Sequence, residues 1–341
     1  MAATIQSVAR RARVSETTVS LAFQPGSRIS DATRRRVLAA ADRLKYVPNV
    51  AARQLRHGRT STLGMLVLDL TNPFYAQMVR SVEVTAREHG YQVIAAESRW
   101  LAEEEVRSLE KMIQARVEGL LACFTEETDE SLRLLKRYAV PYVALDTYPA
   151  GFKGAYVAND LVAAGRLAAT HLVGAGYRRP VLVTAGEQRR HFSAFKRLRR
   201  GFAGGLQAHD IPLNAADVFA ADLTIAAGNR AFAEIRRDRP DADAVFCGND
   251  LCALGLMDAA DRAGLRVGAD IGIMGIDDLD ASGLTRTSLT SIRQPSGALA
   301  EEAARCLIDA IRRGQPPSIR KSYLPTLIPR NSTRRRSVTH R

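Results

Sequence analysis

At 341 residues the chain is long enough to bury a large core and to form two or three domains of about 100 to 150 residues each. It has no run of about 18 apolar residues and no apolar stretch behind Met1, so neither a membrane span nor a secretion signal is expected, and the cytoplasm is the expected compartment. The formal net charge of +13 is local: residues 1 to 60 hold twelve Lys/Arg against three acids and residues 330 to 341 five Arg and no acid, while the 269 residues between them balance 32 basic against 33 acidic groups, and charge gathered on one short segment is what counterion release from a phosphate backbone rewards.

Thr4 is a candidate N-cap, and Ile5, Val8 and Ala9 follow at helical spacing. Ala12 to Val14 make a short turn, Ser15 is a second N-cap, and Val19 and Ala22 repeat the apolar spacing, which puts Glu16, Thr17, Ser20 and Leu21 on the opposite, exposed face. A third helix is expected from Ser30 or Asp31, with Val37, Ala40, Ala41 and Leu44 buried and Arg34, Arg35, Arg36 and Arg43 along a solvated flank. A small three-helix bundle with charged faces is one reading. The tight turn between two short helices favours another, in which the second helix enters a major groove about 12 Å wide. In Pro48-Asn49-Val50-Ala51-Ala52-Arg53-Gln54-Leu55-Arg56 a Pro and an Asn cap precede helix formers too few to be stable alone, so this linker folds only when held, or is simply solvated.

From Thr62 the pattern changes to α/β. TLGMLVLDL, YQVIAAES, GLLACF and PYVALD are strand-length apolar runs separated by helical stretches near 74 to 89, 101 to 116 and 128 to 138. A second set, AYVAND, PVLVTAG, VFAADL, AVFCGND and IGIMGIDD, again alternates with helices, so two parallel sheets covered on both faces are expected. LTSIRQP and YLPTLIP are expected to cross between the halves. Polar residues cluster at the strand ends: Asn72, Phe74 and Tyr75 after the first strand, then Asn159-Asp160, Asn249-Asp250 and Asp277-Asp278. Each Asn or Asp could be only a helix N-cap. Together they suit a cleft for a hydroxyl-rich ligand, whose hydroxyls donate and accept while an aromatic ring covers an apolar sugar face.

TIQSVARRARVSETTVS, the linker YVPNVAARQLR and elements through to LPTLIPRNST resemble the lac repressor and gal repressor type of bacterial transcriptional regulators, over nearly the whole chain. The resemblance implies a helix-turn-helix headpiece over residues 1 to 48, a hinge helix and linker over 49 to 61, and a periplasmic-binding-protein-like core over 62 to 329, followed by a basic tail. Within that core one subdomain would span about 62 to 161 plus 293 to 322 and the other about 162 to 292 plus 323 to 329. Ser15 to Phe23 would be the recognition helix, with Glu16, Thr17 and Leu21 at base-reading positions and Thr4, Ser15, Thr18 and Ser20 beside them on the DNA. Leu21 departs from the Arg or His often found there; it can meet a thymine methyl but cannot hydrogen-bond guanine. Leu55, flanked by Arg53 and Arg56 and preceded by Asn49, matches the residue that wedges into the minor groove.

For the core, the resemblance maps Phe74, Asn249 and Asp277 onto ligand-contacting positions. RRHFSAFKRLRRGF is about two residues longer than in relatives, so Arg190 and Arg197 are candidate ligand contacts, with Leu198 in the strict register; a solvated Arg face is the alternative, and an acidic ligand such as a sugar acid or phosphosugar follows if they line the cleft. Leu223 stands where several relatives carry an aromatic. The implied protein is a cytoplasmic homodimer, most often a repressor, that binds double-stranded operator DNA under control of a small effector, a sugar, sugar derivative or nucleobase.

A solute receptor without a DNA role is the competing class, disfavoured by the basic headpiece. For an enzyme there is no Walker loop, no GxGxxG after the first strand, no GxSxG and no metal-ligand spacing, so no cofactor is expected. Cys123, Cys247, Cys252 and Cys306 lack CxxC spacing and read as reduced, mostly buried thiols. No apolar heptads follow Asn331, so a dimer is expected rather than a coiled-coil tetramer.

Overall fold

A computed structural model of the chain describes residues 3–23, 26–46, 60–125, 129–186 and 192–334. It divides into two compact units, Met1–Thr60 and Ser61–Arg341. The hinge positions Asn49, Arg53, Leu55 and Arg56, and Arg190 farther on, lie outside the described residues.

The first unit contains α1 (Ile5–Ala12), α2 (Glu16–Ala22) and α3 (Asp31–Arg43). Each begins at the expected cap: Thr4 and Ser7 form a reciprocal capping box, Ser15 Oγ accepts from Thr18 N at 3.1 Å, and Ser30 Oγ accepts from Thr33 N at 3.2 Å. α1 ends because Arg13 adopts a left-handed conformation, φ 52°, from which its N–H reaches the carbonyls of Ala9 and Arg10. The buried core is Val8, Ala9, Ala12, Val19, Ala22, Val37, Ala40 and Ala41, and Leu44 is only partly covered at its edge. Arg34 departs from the solvated flank: its guanidinium donates to Ala22 O at 3.0 Å and Ser27 Oγ at 2.7 Å, while Ser27 Oγ donates to Leu21 O at 2.6 Å. The reason is that α2 ends with unsatisfied carbonyls, and a half-buried Arg from α3 satisfies them.

The second unit holds two six-stranded sheets. The first comprises β1 (Thr62–Val67), β2 (Gln92–Glu97), β3 (Gly119–Ala122), β4 (Tyr142–Asp146), β5 (Tyr156–Asn159) and β11 (Arg320–Tyr323), all parallel in the order β11-β5-β4-β3-β1-β2. Around it lie α4 (Pro73–Glu88), α5 (Ala102–Gln114), α6 (Asp129–Arg137) and α11 (Ser296–Arg313). The second comprises β6 (Pro180–Ala185), β7 (Val218–Ala221), β8 (Ala244–Cys247), β9 (Gly272–Asp277), β10 (Thr290–Arg293) and β12 (Thr326–Ile328), parallel except for β12 against β10, in the order β12-β10-β9-β8-β6-β7. Its helices are α7 (Leu161–Gly174), α8 (Ser193–Gln207), α9 (Ile225–Asp238) and α10 (Asp250–Arg262).

Central strands β1, β3, β6 and β8 are buried throughout, which is why they read as unbroken apolar runs rather than alternating ones. The AYVAND strand, grouped in sequence with the second set, is β5 and joins the first sheet between β4 and β11. The chain passes between sheets three times, at Asp160, at Gln294-Pro295 and at Leu324-Pro325. α7 and α8 meet with their backbones in contact: a Cβ on Gly165 would lie 2.2 Å from Leu198 O, and one on Gly201 2.1 Å from Val162 O. That approach fixes where α8 presents Phe195 and Leu198.

Candidate ligand cleft and recognition helix

Strand ends of both sheets open onto one cleft of about 750 Å³, its mouth included. Of the residues expected there, Asn72, Phe74, Tyr75, Leu223, Asn249 and Asp277 line it. The helix-cap reading also holds for two of them: Asn72 Oδ1 accepts from Phe74 N at 3.0 Å and Asn249 Oδ1 from Cys252 N at 2.9 Å. Capping spends one end of each amide and leaves the other aimed elsewhere. Asn72 Nδ2 donates to Asp277 Oδ2 at 3.3 Å, and Asn249 Nδ2 donates to Leu223 O at 2.8 Å.

Three expected contacts lie off the cleft, each for a visible reason. Asp160 caps α7, accepting from Ala163 N at 2.9 Å. Asp250 is fully buried behind the cleft, where Ser282 Oγ and Ser291 Oγ each donate at 2.6 Å and Leu279 N at 2.9 Å, so its carboxylate is spent on joining β9 and β10 to α10. Arg197 reaches from α8 to the segment after β4, donating to Thr147 Oγ1 at 2.8 Å and Tyr148 O at 2.9 Å with its guanidinium 4.5 Å over the Tyr148 ring. Leu198, the residue in strict register, is the one that lines the cleft.

Sequence reasoning missed Asp69, Trp100, Asp146, Thr147, Phe195 and Gln294, all of which line it. Asp146 and Gln294 stand at or just past the ends of β4 and β10, so the strand-end rule that found Asn72 and Asp277 applies to them too. Trp100 carried a different signal, as the only Trp of the chain. Asp146, with φ 67°, accepts from Asn159 Nδ2 at 2.7 Å and Tyr75 Oη at 3.4 Å. Desolvation nonetheless lifts its pKa to about 6, against those two hydrogen bonds and the Arg197 charge, which lower it.

Asp277, φ 126°, keeps part of its surface open to the cleft and accepts from Gln294 Nε2 at 2.8 Å in addition to Asn72. Burial, with the Asp250 charge adding to it, holds its carboxyl well above the usual range. Burial and then the nearby Asp146 charge do the same to the Tyr75 hydroxyl. The buried Gln294 Oε1 has no hydrogen-bond partner among the described residues. The lining thus combines three carboxylates (Asp69, Asp146, Asp277), three amides and an aromatic wall, with no Lys or Arg among the described residues that form it.

On the first unit, Glu16 and Thr17 are exposed at the start of α2, whereas Ser20 and Leu21 are half-buried on its second turn. The hydroxyls of Thr4 and Ser15 serve as caps, and that of Thr18 is paired with Ser15 Oγ at 2.9 Å. Residues 4–49 match the family model for bacterial regulatory proteins of the lacI family, and residues 169–333 match that for a periplasmic binding protein-like domain. The ribose operon repressor of Escherichia coli (strain K12) is 32% identical over 332 residues, covering 97% of this chain and 99% of its own. The chain belongs to the LacI family.

Among solved structures, this LacI-family member is similar to the lac repressor dimer bound to operator and the anti-inducer ONPF, at TM-score 0.85 and 25% identity over 98% of this chain and 99% of that one. A complex of the transcriptional regulator CelR with cellobiose matches at TM-score 0.73 and 30% identity over 97% and 99%. As a LacI-family protein it is a DNA-binding transcriptional regulator governed by a small effector, and its work is control of transcription rather than catalysis. No helix among the described residues is long and apolar enough to cross a membrane.

Proposed function

We propose that this regulator is a cytoplasmic homodimeric repressor whose effector is a neutral, hydroxyl-rich small molecule, a sugar or sugar derivative, held in the cleft between the two halves of the core. The carrying observation is the lining itself: three carboxylates and a set of amides, including an unpartnered Gln294 Oε1, with no described cation among them. Sugar hydroxyls can donate to the carboxylates and to Gln294 and accept from the amides, while aromatic rings cover an apolar face. A sugar acid or phosphosugar would bring its anion to Asp69, Asp146 and Asp277 without a described partner, since the Arg197 guanidinium is engaged with Thr147 and Tyr148.

Under this reading Asn72, Phe74, Tyr75, Asp146, Asn249, Asp277 and Gln294 hold the effector, and Asp160 and Asp250 support the strand ends behind it. Glu16, Thr17 and Leu21 read bases, the other polar residues of α1 and α2 together with Asn49, Arg53 and Arg56 hold the backbone, and Leu55 wedges into the minor groove. Headpiece, hinge and core fall at 1–48, 49–61 and 62–329. Closure of the cleft changes how the halves nearest DNA present the hinges, and so changes operator affinity.

Calorimetric titration with neutral pentoses and hexoses beside their acid and phosphate forms tests it, followed by operator binding with and without the compound that binds. The expected result is binding of a neutral sugar that shifts operator affinity. Selective binding of the acid or phosphate form would replace the reading.

A further inference from the structure

The only Trp of the chain lies where the two halves of the core meet over the cleft. Trp100 follows β2 on a turn where Arg99 and Trp100 both take left-handed backbone, φ 52° and 65°, which side chains other than Gly adopt at a cost. Its indole packs at the edge of the apolar core of the first half. From there it crosses to α8 of the second half, stacking on Phe192 with centroids 5.6 Å apart and planes at 27°, and standing 5.6 Å from Phe195. Phe192 is outside the cleft lining, whereas Trp100 and Phe195 are within it. The indole is therefore backed on one side and faces the cavity elsewhere. Leu223, which packs against the same aromatic group, lines the cleft without adding a ring to it.

We propose that Trp100 is the specificity-determining residue of the cleft, supplying the apolar platform for one sugar ring while its clasp on Phe192 and Phe195 bars ligands with a second ring. The inference rests on the hydroxyl-rich reading given above. A sugar ring has one face of C–H groups that lies against an indole with little desolvation cost, and stacking of this kind is worth about 3- to 10-fold in affinity. A second ring that extends past Trp100 would have to part the clasp, losing the Trp100–Phe192 stack. Because the platform comes from the first half and its backing from the second, it is complete only when the halves are together.

The test titrates the full-length protein with D-ribose, D-glucose, D-galactose, maltose and cellobiose by calorimetry, in the parent, Trp100→Phe, Trp100→Ala and Asp277→Asn. The parent should take a single-ring sugar in preference to the disaccharides. Trp100→Ala should weaken that sugar by about 3- to 10-fold and narrow or reverse the preference, and Trp100→Phe should retain most of both. Phe192→Ala, which leaves the sole Trp in place, should red-shift its emission and raise its quenching by acrylamide. Parent-like affinity and selectivity in Trp100→Ala, with binding lost in Asp277→Asn, would overturn the Trp100 assignment and leave the cleft reading standing. No binding of any of these sugars to the parent would overturn both.

Discussion

The two units of this chain handle charge in opposite ways. The N-terminal unit carries net +9 over 60 residues, and among its described residues no buried side chain is larger than Val and no charged side chain is buried, with Arg34 only half-covered. The core is nearly neutral in sum yet takes Asp146, Asp250 and Asp277 out of water, where burial raises all three pKa values. Charge meant for a phosphate backbone profits from counterion release. A carboxyl meant for a small neutral ligand profits from being desolvated, since a hydrogen bond to it is then stronger even where burial favours its protonated form. One unit is therefore sensitive to salt and the other to pH.

The largest effect that can break this contrast is the salt dependence. Operator affinity should fall by about 10³-fold or more between 50 and 200 mM salt, as for proteins making several phosphate contacts. Affinity for the effector should stay level over the same range, and parallel slopes in filter binding and calorimetry would erase the distinction. Asp146→Asn sharpens it from the core side. Between about pH 4 and 6 the folded protein keeps a proton on Asp146 that the unfolded chain has released, so stability from this group declines as pH rises through that window and is constant above it. The variant should lose that decline, so that its stability relative to the parent rises between pH 4 and pH 7.5, as read from denaturant midpoints. Superimposable pH–stability curves would show that Asp146 is not desolvated.

Asp277→Ala should cost about 1 to 3 kcal/mol of effector affinity, the cost of leaving a buried polar partner unsatisfied, and titration by calorimetry checks it. An unchanged dissociation constant would reduce Asp277 to a link between Asn72 and Gln294. The smallest effect belongs to the headpiece. Thr17→Ala should alter which operator sequences are preferred by about 1 kcal/mol at the affected position, with non-specific binding retained. Identical profiles in a randomised-operator selection would take Thr17 off the reading face.

Much of this arrangement was legible in the residues, because parallel strands buried on both faces leave unbroken apolar runs and because caps such as Thr4, Ser15 and Ser30 have chemistry of their own. Asn72 and Asp277 could be placed at the cleft because strand ends converge there. Asp160 and Asp250 obey the same rule and yet point away, one into its helix and one into a serine pair from β10 and the segment beyond β9, a difference of side-chain direction that spacing does not encode. Arg197 was ambiguous for the same reason: one residue of register separates a helix face that meets the cleft, where Leu198 sits, from one that meets Thr147. Trp100 escaped because it comes from a left-handed turn rather than a strand end, and its partners are about ninety residues away.

The three passages between sheets also order events in time during synthesis. By residue 159 the ribosome has delivered five strands of the first sheet, but not α11, whose Leu299, Ala300, Ala303, Ala304, Leu307 and Ile308 fill that half's core, nor β11, which pairs with β5. Those pieces emerge only after β6 to β10 of the other half have been made. The first half to be synthesised is thus left waiting with an uncovered apolar face until the second is nearly finished, and β12, a few residues later, closes the second sheet against β10. The two halves are completed together, as the segment from Ser296 to Ile328 is made.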